Sequence, residues 1–152
     1  MILAASNGQQ FRLHLLGYQF PTTTSEYWDA NWLQVQIEAT HPRGSWSATD
    51  PPLLTFEVAR LATWLDSLAV GVSVEAEEEF TEPNLSFHLV QAEGGRALRV
   101  YFELEARPPW APHDGAGARD LWLEFPLAEL DLAAAASSLR AQLAAFPERG
   151  KR

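Results

Sequence analysis

The sequence has 152 residues and a mass of 16.9 kDa, enough for one ordinary domain that buries roughly 68–70% of its unfolded surface, and its 47% hydrophobic and 20% charged residues exclude a disordered chain. Eleven basic against twenty acidic residues leave a net charge of −9, which argues against phosphate backbones and anionic lipid: no direct nucleic-acid partner and no membrane partner is expected. The absence of cysteine removes disulfides, thiolate zinc sites and cysteine nucleophiles, and fits a reducing cytoplasm.

Ile2 to Ala5 is apolar but lacks the basic flank and the length of a signal peptide, so no targeting segment is expected. Phe11, Leu13 and Leu15 alternate with Arg12 and His14, the period of a half-buried strand. Leu33, Val35, Ile37 and Ala39 repeat that pattern, and Gly44 to Ala48 suits a short third strand. Thr55 is a candidate N-cap for a helix carrying Val58, Leu61, Ala62, Leu65 and Leu68 on one face, with Gly71 ending it.

The period then returns to two. Val72, Val74, Ala76 and Phe80 point one way, and Ser73, Glu75, Glu77 and Glu79 the other. Glu78 falls with the apolar set, so it is expected at a sheet edge or paired with an arginine. Leu85, Phe87 and Leu89, a Glu93-Gly94-Gly95-Arg96 turn, and Leu98, Val100, Phe102 and Leu104 predict a hairpin, with Arg99, Tyr101, Glu103, Glu105 and Arg107 outward. Prolines 108, 109 and 112 stop the pairing and an irregular loop runs to about Asp120. Leu121, Leu123 and Phe125 resume a strand, and Leu132, Ala136, Leu139, Leu143 and Phe146 mark a final helix before Pro147. The pattern predicts a single α+β domain over residues 1–149 with a polar tail at 150–152. Its mostly antiparallel sheet of six to seven strands carries two amphipathic helices on one face.

Pairing Leu89 with Leu98 or Val100 places His88 and Ser86 beside Arg99, Tyr101 or Glu103, with Glu77 near His88 if the preceding strand joins. Glu77, His88, Glu103 and Glu105 could then form an acid/base or metal cluster. The simpler reading is a solvated face with cross-strand pairs. Glu75, Glu77, Glu78, Glu79 and Glu82 lack the loop spacing and central glycine of a calcium site, so no metal and no cofactor is expected. His113-Asp114 and the glycines that follow form neither a phosphate loop nor a convincing catalytic dyad, and no hydrolase or metalloprotease motif is present. As an electrostatic surface the acidic strand would attract a cationic protein. Tyr18, Phe20, Tyr27, Trp28 and Trp32 cluster in the connection after the first strand, and residues of that kind cap cores or anchor interfaces.

Gly17-Tyr18-Gln19-Phe20-Pro21, Asp29-Ala30-Asn31-Trp32-Leu33 and Asp50-Pro51-Pro52-Leu53-Leu54-Thr55 resemble the opening half of the WapI family of immunity proteins. Glu82-Pro83-Asn84-Leu85-Ser86-Phe87, Tyr101-Phe102-Glu103-Leu104-Glu105 and Pro109-Trp110 extend the resemblance over most of the chain. It implies a small cytoplasmic antitoxin that neutralises the C-terminal toxin domain of a wall-associated, contact-dependent protein. In the family's namesake system that toxin is a tRNA-cleaving nuclease, but toxin chemistry varies between such loci and does not transfer. Nor do catalytic residues, since an immunity protein acts by occlusion. Glu75, Glu77, Glu79, Glu103 and Glu105 are the expected electrostatic contacts with the toxin domain, and Tyr101 and Trp28 the aromatic anchors. Two other classes stay open: a small enzyme using His88 with Glu77 or His113 with Asp114, and a general acidic protein-binding module.

Overall fold

The computed structural model describes residues 1–50, 53–111 and 119–150. The His113–Asp114 pair and the Gly115-Ala116-Gly117 part of the expected irregular loop lie outside the described residues, as does most of the expected tail. The α+β class with antiparallel pairing holds, but the strands divide between two sheets instead of forming one.

In the first sheet, β1 (Ile2–Ala4), β2 (Gln10–Tyr18), β3 (Trp32–His41) and β4 (Gly44–Ala48) follow one another antiparallel, and β5 (Leu53–Leu54) pairs with the start of β3. β1 and β5 are too short to show a period, and the five-residue helix α1 (Tyr27–Asn31) has no periodic face either. In β2 and β3 the alternation is as expected, with Phe11, Leu13, Leu33, Val35 and Ile37 wholly buried. The β2–β3 register shifts between Leu15 and Gly17, which turns Leu16 outward. The Leu15 amide donates instead to Gln142 Oε1 at 2.8 Å, so the bulge is satisfied from a helix.

Helix α2 (Thr55–Ala69) begins one residue earlier than the N-cap reading had it. Leu54 is the cap residue, and the Glu57 carboxylate accepts the Leu54 amide at 2.9 Å. Because β5 runs straight into the helix, Thr55 is its first turn and its hydroxyl donates to Asn31 Oδ1 at 2.9 Å. Gly71, at φ 75°, takes the left-handed conformation that stops the helix. Helix α3 (Leu132–Leu143) is capped by Asp131, whose side chain accepts from the Ala134 amide, and packs against α2 with Arg140 paired to Asp66.

The second sheet has the order β6 (Glu77–Glu79), β7 (Leu85–Ala92), β8 (Gly95–Phe102), β9 (Trp122–Pro126), all antiparallel. The hairpin register is Leu89 to Leu98 and His88 to Arg99. The strand expected from Val72 is pared to three residues: Val72 is 55% exposed, and pairing starts only where Glu77 meets His88. β8 also ends early. At Leu104 the backbone turns to φ 49° and enters a short 3-10 turn, Leu104–Ala106, so the expected inward–outward alternation through Arg107 stops at Phe102.

The sheets meet through aromatic edges. Phe11 of β2 lies 5.9 Å from Phe87 and 5.8 Å from Phe102, and Trp46 of β4 lies 5.0 Å from Phe102, each near T-shaped. The Trp46 indole donates to the Ala106 carbonyl at 2.9 Å, so its polar edge is satisfied inside the core. Both sheets and the two long helices contribute to this single hydrophobic cluster. Among the described residues no helix is long and apolar enough to cross a membrane.

Candidate functional site

Strand register dictates what gathers on the outer face of the second sheet. Since side chains alternate, Glu77 and Glu79 of β6 share that face with His88 and Ser86 of β7, and with Arg99 and Tyr101 of β8. His88 Nδ1 lies 3.5 Å from Glu77 Oε1. The His88 ring sits 4.7 Å from that of Tyr101, which in turn lies 5.7 Å from Trp122. Arg99 donates to Glu124 Oε2 at 2.7 Å and lies over the Trp122 ring at 4.6 Å.

The organising residue of this face is one that sequence reasoning missed. Arg119 joins its loop to β6, with its guanidinium paired to Glu79 and 3.8 Å from Glu77 Oε2. Its backbone amide donates to Glu103 Oε1 at 2.7 Å. Arg119 lies at the end of an irregular loop, with no periodic or motif signal to single it out.

The expected contact residues therefore occupy different situations. Glu77 and Glu79 are exposed but share Arg119. Glu75 is exposed in the unpaired segment before β6, where its carbonyl accepts from the Trp64 indole. Glu105 is exposed on the 3-10 turn and accepts from Asn84 Nδ2 at 2.9 Å. Glu103 and Tyr101 are buried, at 5% and 8% exposure. Trp28 belongs to a separate surface on α1, 58% exposed, with its ring 5.9 Å from Tyr27 and 5.7 Å from Phe56. Glu78 meets both of its expectations: it lies on the edge strand, buried on the core side, and pairs with Arg60 of α2.

Electrostatically the cluster is balanced from within. Burial pushes the His88 imidazole below its usual pKa; Glu77 and Glu79 oppose that shift and Arg119 reinforces it. Ligand atoms of Glu77, Glu79 and His88 lie within 4.8 Å of one another, a spacing that suits a divalent ion, but Arg119 already places a cation against both carboxylates. What the geometry offers is an ion-paired sheet face with a buried histidine and an acidic rim.

A family model described as Immunity protein WapI-like family matches residues 1–147. No curated protein matches the chain. With nearly its whole length covered by that model, the chain belongs to the WapI-like family of immunity proteins.

Proposed function

We propose that this protein binds a cognate toxin domain in the cytoplasm and blocks it by covering its active site, with no chemistry of its own. The family match over residues 1–147 carries this reading, because an immunity protein is defined by the toxin it silences. The charge of −9 suits a basic partner such as a nuclease, whose substrate-binding cleft attracts anions. Exposed Glu75, Glu77, Glu79 and Glu105 would steer the encounter, while Tyr101 and Glu103, being buried, would act only through the side chains they support.

Occlusion is favoured over an enzyme built on His88 and Glu77 by the state of His88. At 6% exposure, with Glu77 already engaged by Arg119, the imidazole is not presented to a substrate as a general base must be. The test is calorimetric titration against the inactivated C-terminal toxin domain encoded beside this chain, at low and at moderate salt. The expected result is nanomolar binding that weakens as salt slows association, with a smaller salt dependence when Glu75, Glu77 and Glu79 are changed to glutamine. Absence of binding would overturn the reading. Unchanged association of the triple variant at low salt would remove these glutamates from the interface.

A further inference from the structure

The protein repeatedly settles arginines on its own aromatic rings. Arg43 lies 4.6 Å from the Trp110 centroid, Arg99 4.6 Å from Trp122 and Arg149 3.3 Å from Tyr18. Trp46 and Trp64 are buried and direct their indole N–H groups to backbone carbonyls. Trp28 departs from both patterns. It is 58% exposed, and among the described residues no arginine or lysine covers it.

Carboxylates accompany it. Glu26 and Asp29 are exposed and, among the described residues, take part in no ion pair. Glu26 is the extended residue that precedes α1 and Asp29 lies in its first turn, so the two flank Trp28 in the chain, and the Glu26 side chain does not cap the helix. This differs from the β6 surface, where Arg119 already partners both outward glutamates. Phe20, 41% exposed, adds apolar surface in the segment leading into α1.

The short helix is held firmly enough to act as an anchor. The Tyr27 ring stacks on Phe56 at 5.9 Å and 9°, and Trp28 meets Phe56 edge-on. Behind them Asn31, wholly buried, donates to the Tyr27 carbonyl at 2.7 Å and exchanges two 2.8 Å hydrogen bonds with the Arg149 backbone. A ring fixed in place before binding loses little freedom on contact.

We propose that Trp28, with Glu26 and Asp29, is the anchoring platform of the interface and receives an arginine or lysine side chain of the toxin domain. The indole face supplies the cation–π contact and the two carboxylates supply the charge complement. This rests on the toxin-binding reading and deepens it: the β6 acids steer, and Trp28 grips.

The experiment measures association and dissociation of the inactivated toxin domain on the full chain, with Trp28→Ala, Trp28→Phe and the Glu26→Gln/Asp29→Asn pair. Melting curves serve as the folding control. The expected result is at least about 30-fold weaker binding for Trp28→Ala, mostly through faster dissociation, with an intermediate loss for Trp28→Phe and melting close to wild type. Binding of Trp28→Ala within about threefold of wild type would overturn the platform. If the wild-type chain does not bind the toxin domain, the function proposed above fails. The platform is then decided by titrating an arginine–glycine repeat peptide while following the Trp28 indole resonance. A saturable shift that the Glu26→Gln/Asp29→Asn pair abolishes would support it, and no saturable shift would overturn it.

Discussion

Asn31 closes the molecule by gripping the backbone of Arg149: its amide donates to the Arg149 carbonyl and its carbonyl oxygen accepts the Arg149 amide, both at 2.8 Å, across 118 residues of sequence. The same oxygen accepts from Thr55, so one side chain joins α1, the start of α2 and the segment after α3. Asn31→Ala strands these groups. It should lower stability by about 2–4 kcal/mol in urea denaturation and speed hydrogen exchange at Arg149, the cost being that of several polar groups left unsatisfied. An unchanged midpoint would show that water replaces Asn31 without loss.

Arg60 and Glu78 should respond unequally to substitution. The Glu78 side chain is 9% exposed and faces the core, whereas that of Arg60 is 49% exposed. Arg60→Ala leaves a carboxylate under cover without its partner and should cost about 2–3 kcal/mol. Glu78→Gln leaves an arginine that water can reach and should cost roughly half as much. Equal losses in thermal unfolding would mean that Glu78 is reached by solvent once Arg60 is gone.

Stability should fall as pH drops below neutrality. His88 titrates lower in the folded chain than its unfolded value of about 6.5, with burial as the chief cause. Below that pH the unfolded chain takes up a proton that the folded chain refuses, so the advantage present above about 6.5 is lost as pH falls through the folded value. His88→Gln should flatten this part of a stability–pH curve without abolishing it, because His41 shifts the same way through burial and the neighbouring Arg43. A curve of unchanged slope in the variant would assign the effect elsewhere.

Gly44 follows the two-residue turn of the β3–β4 hairpin with φ at 145°, and a Cβ there would stand 3.2 Å from Trp110 Nε1. Gly44→Ala should therefore destabilise by about 1–3 kcal/mol. It should also alter the near-ultraviolet circular dichroism of the Trp46–Trp110 pair, whose rings lie 5.7 Å apart at 89°. A native spectrum with native stability would contradict this close approach.

Local patterns carried far into this fold. The β7–β8 hairpin, with Leu89 opposite Leu98, and helices α2 and α3 lie where period and turn residues placed them, because each buries one repeating apolar face. The division into two sheets was not legible, since it depends on Phe11 packing against Phe87 and Phe102 over more than 70 residues of chain. The strand expected from Val72 is shorter than its alternation suggests, because β7 pairs in register only with Glu77, Glu78 and Glu79 and reaches no further back than the Ala76 carbonyl, which accepts from the Leu89 amide. Of the candidate site, the Glu77–His88 neighbourhood followed from register alone. Arg119 did not, because a loop residue's position is set by tertiary contacts and carries no period.

The three consecutive glutamates of β6 also decide how this protein meets copies of itself. The free margin of a sheet offers unpaired amides and carbonyls to any strand that drifts past. Here that margin is only three residues long, Arg60 already donates to the Glu79 carbonyl, and a second copy arriving edge to edge would bring its own acidic side chains against Glu77 and Glu79. Self-stacking into extended ribbons is thereby discouraged at the β6 margin of the second sheet.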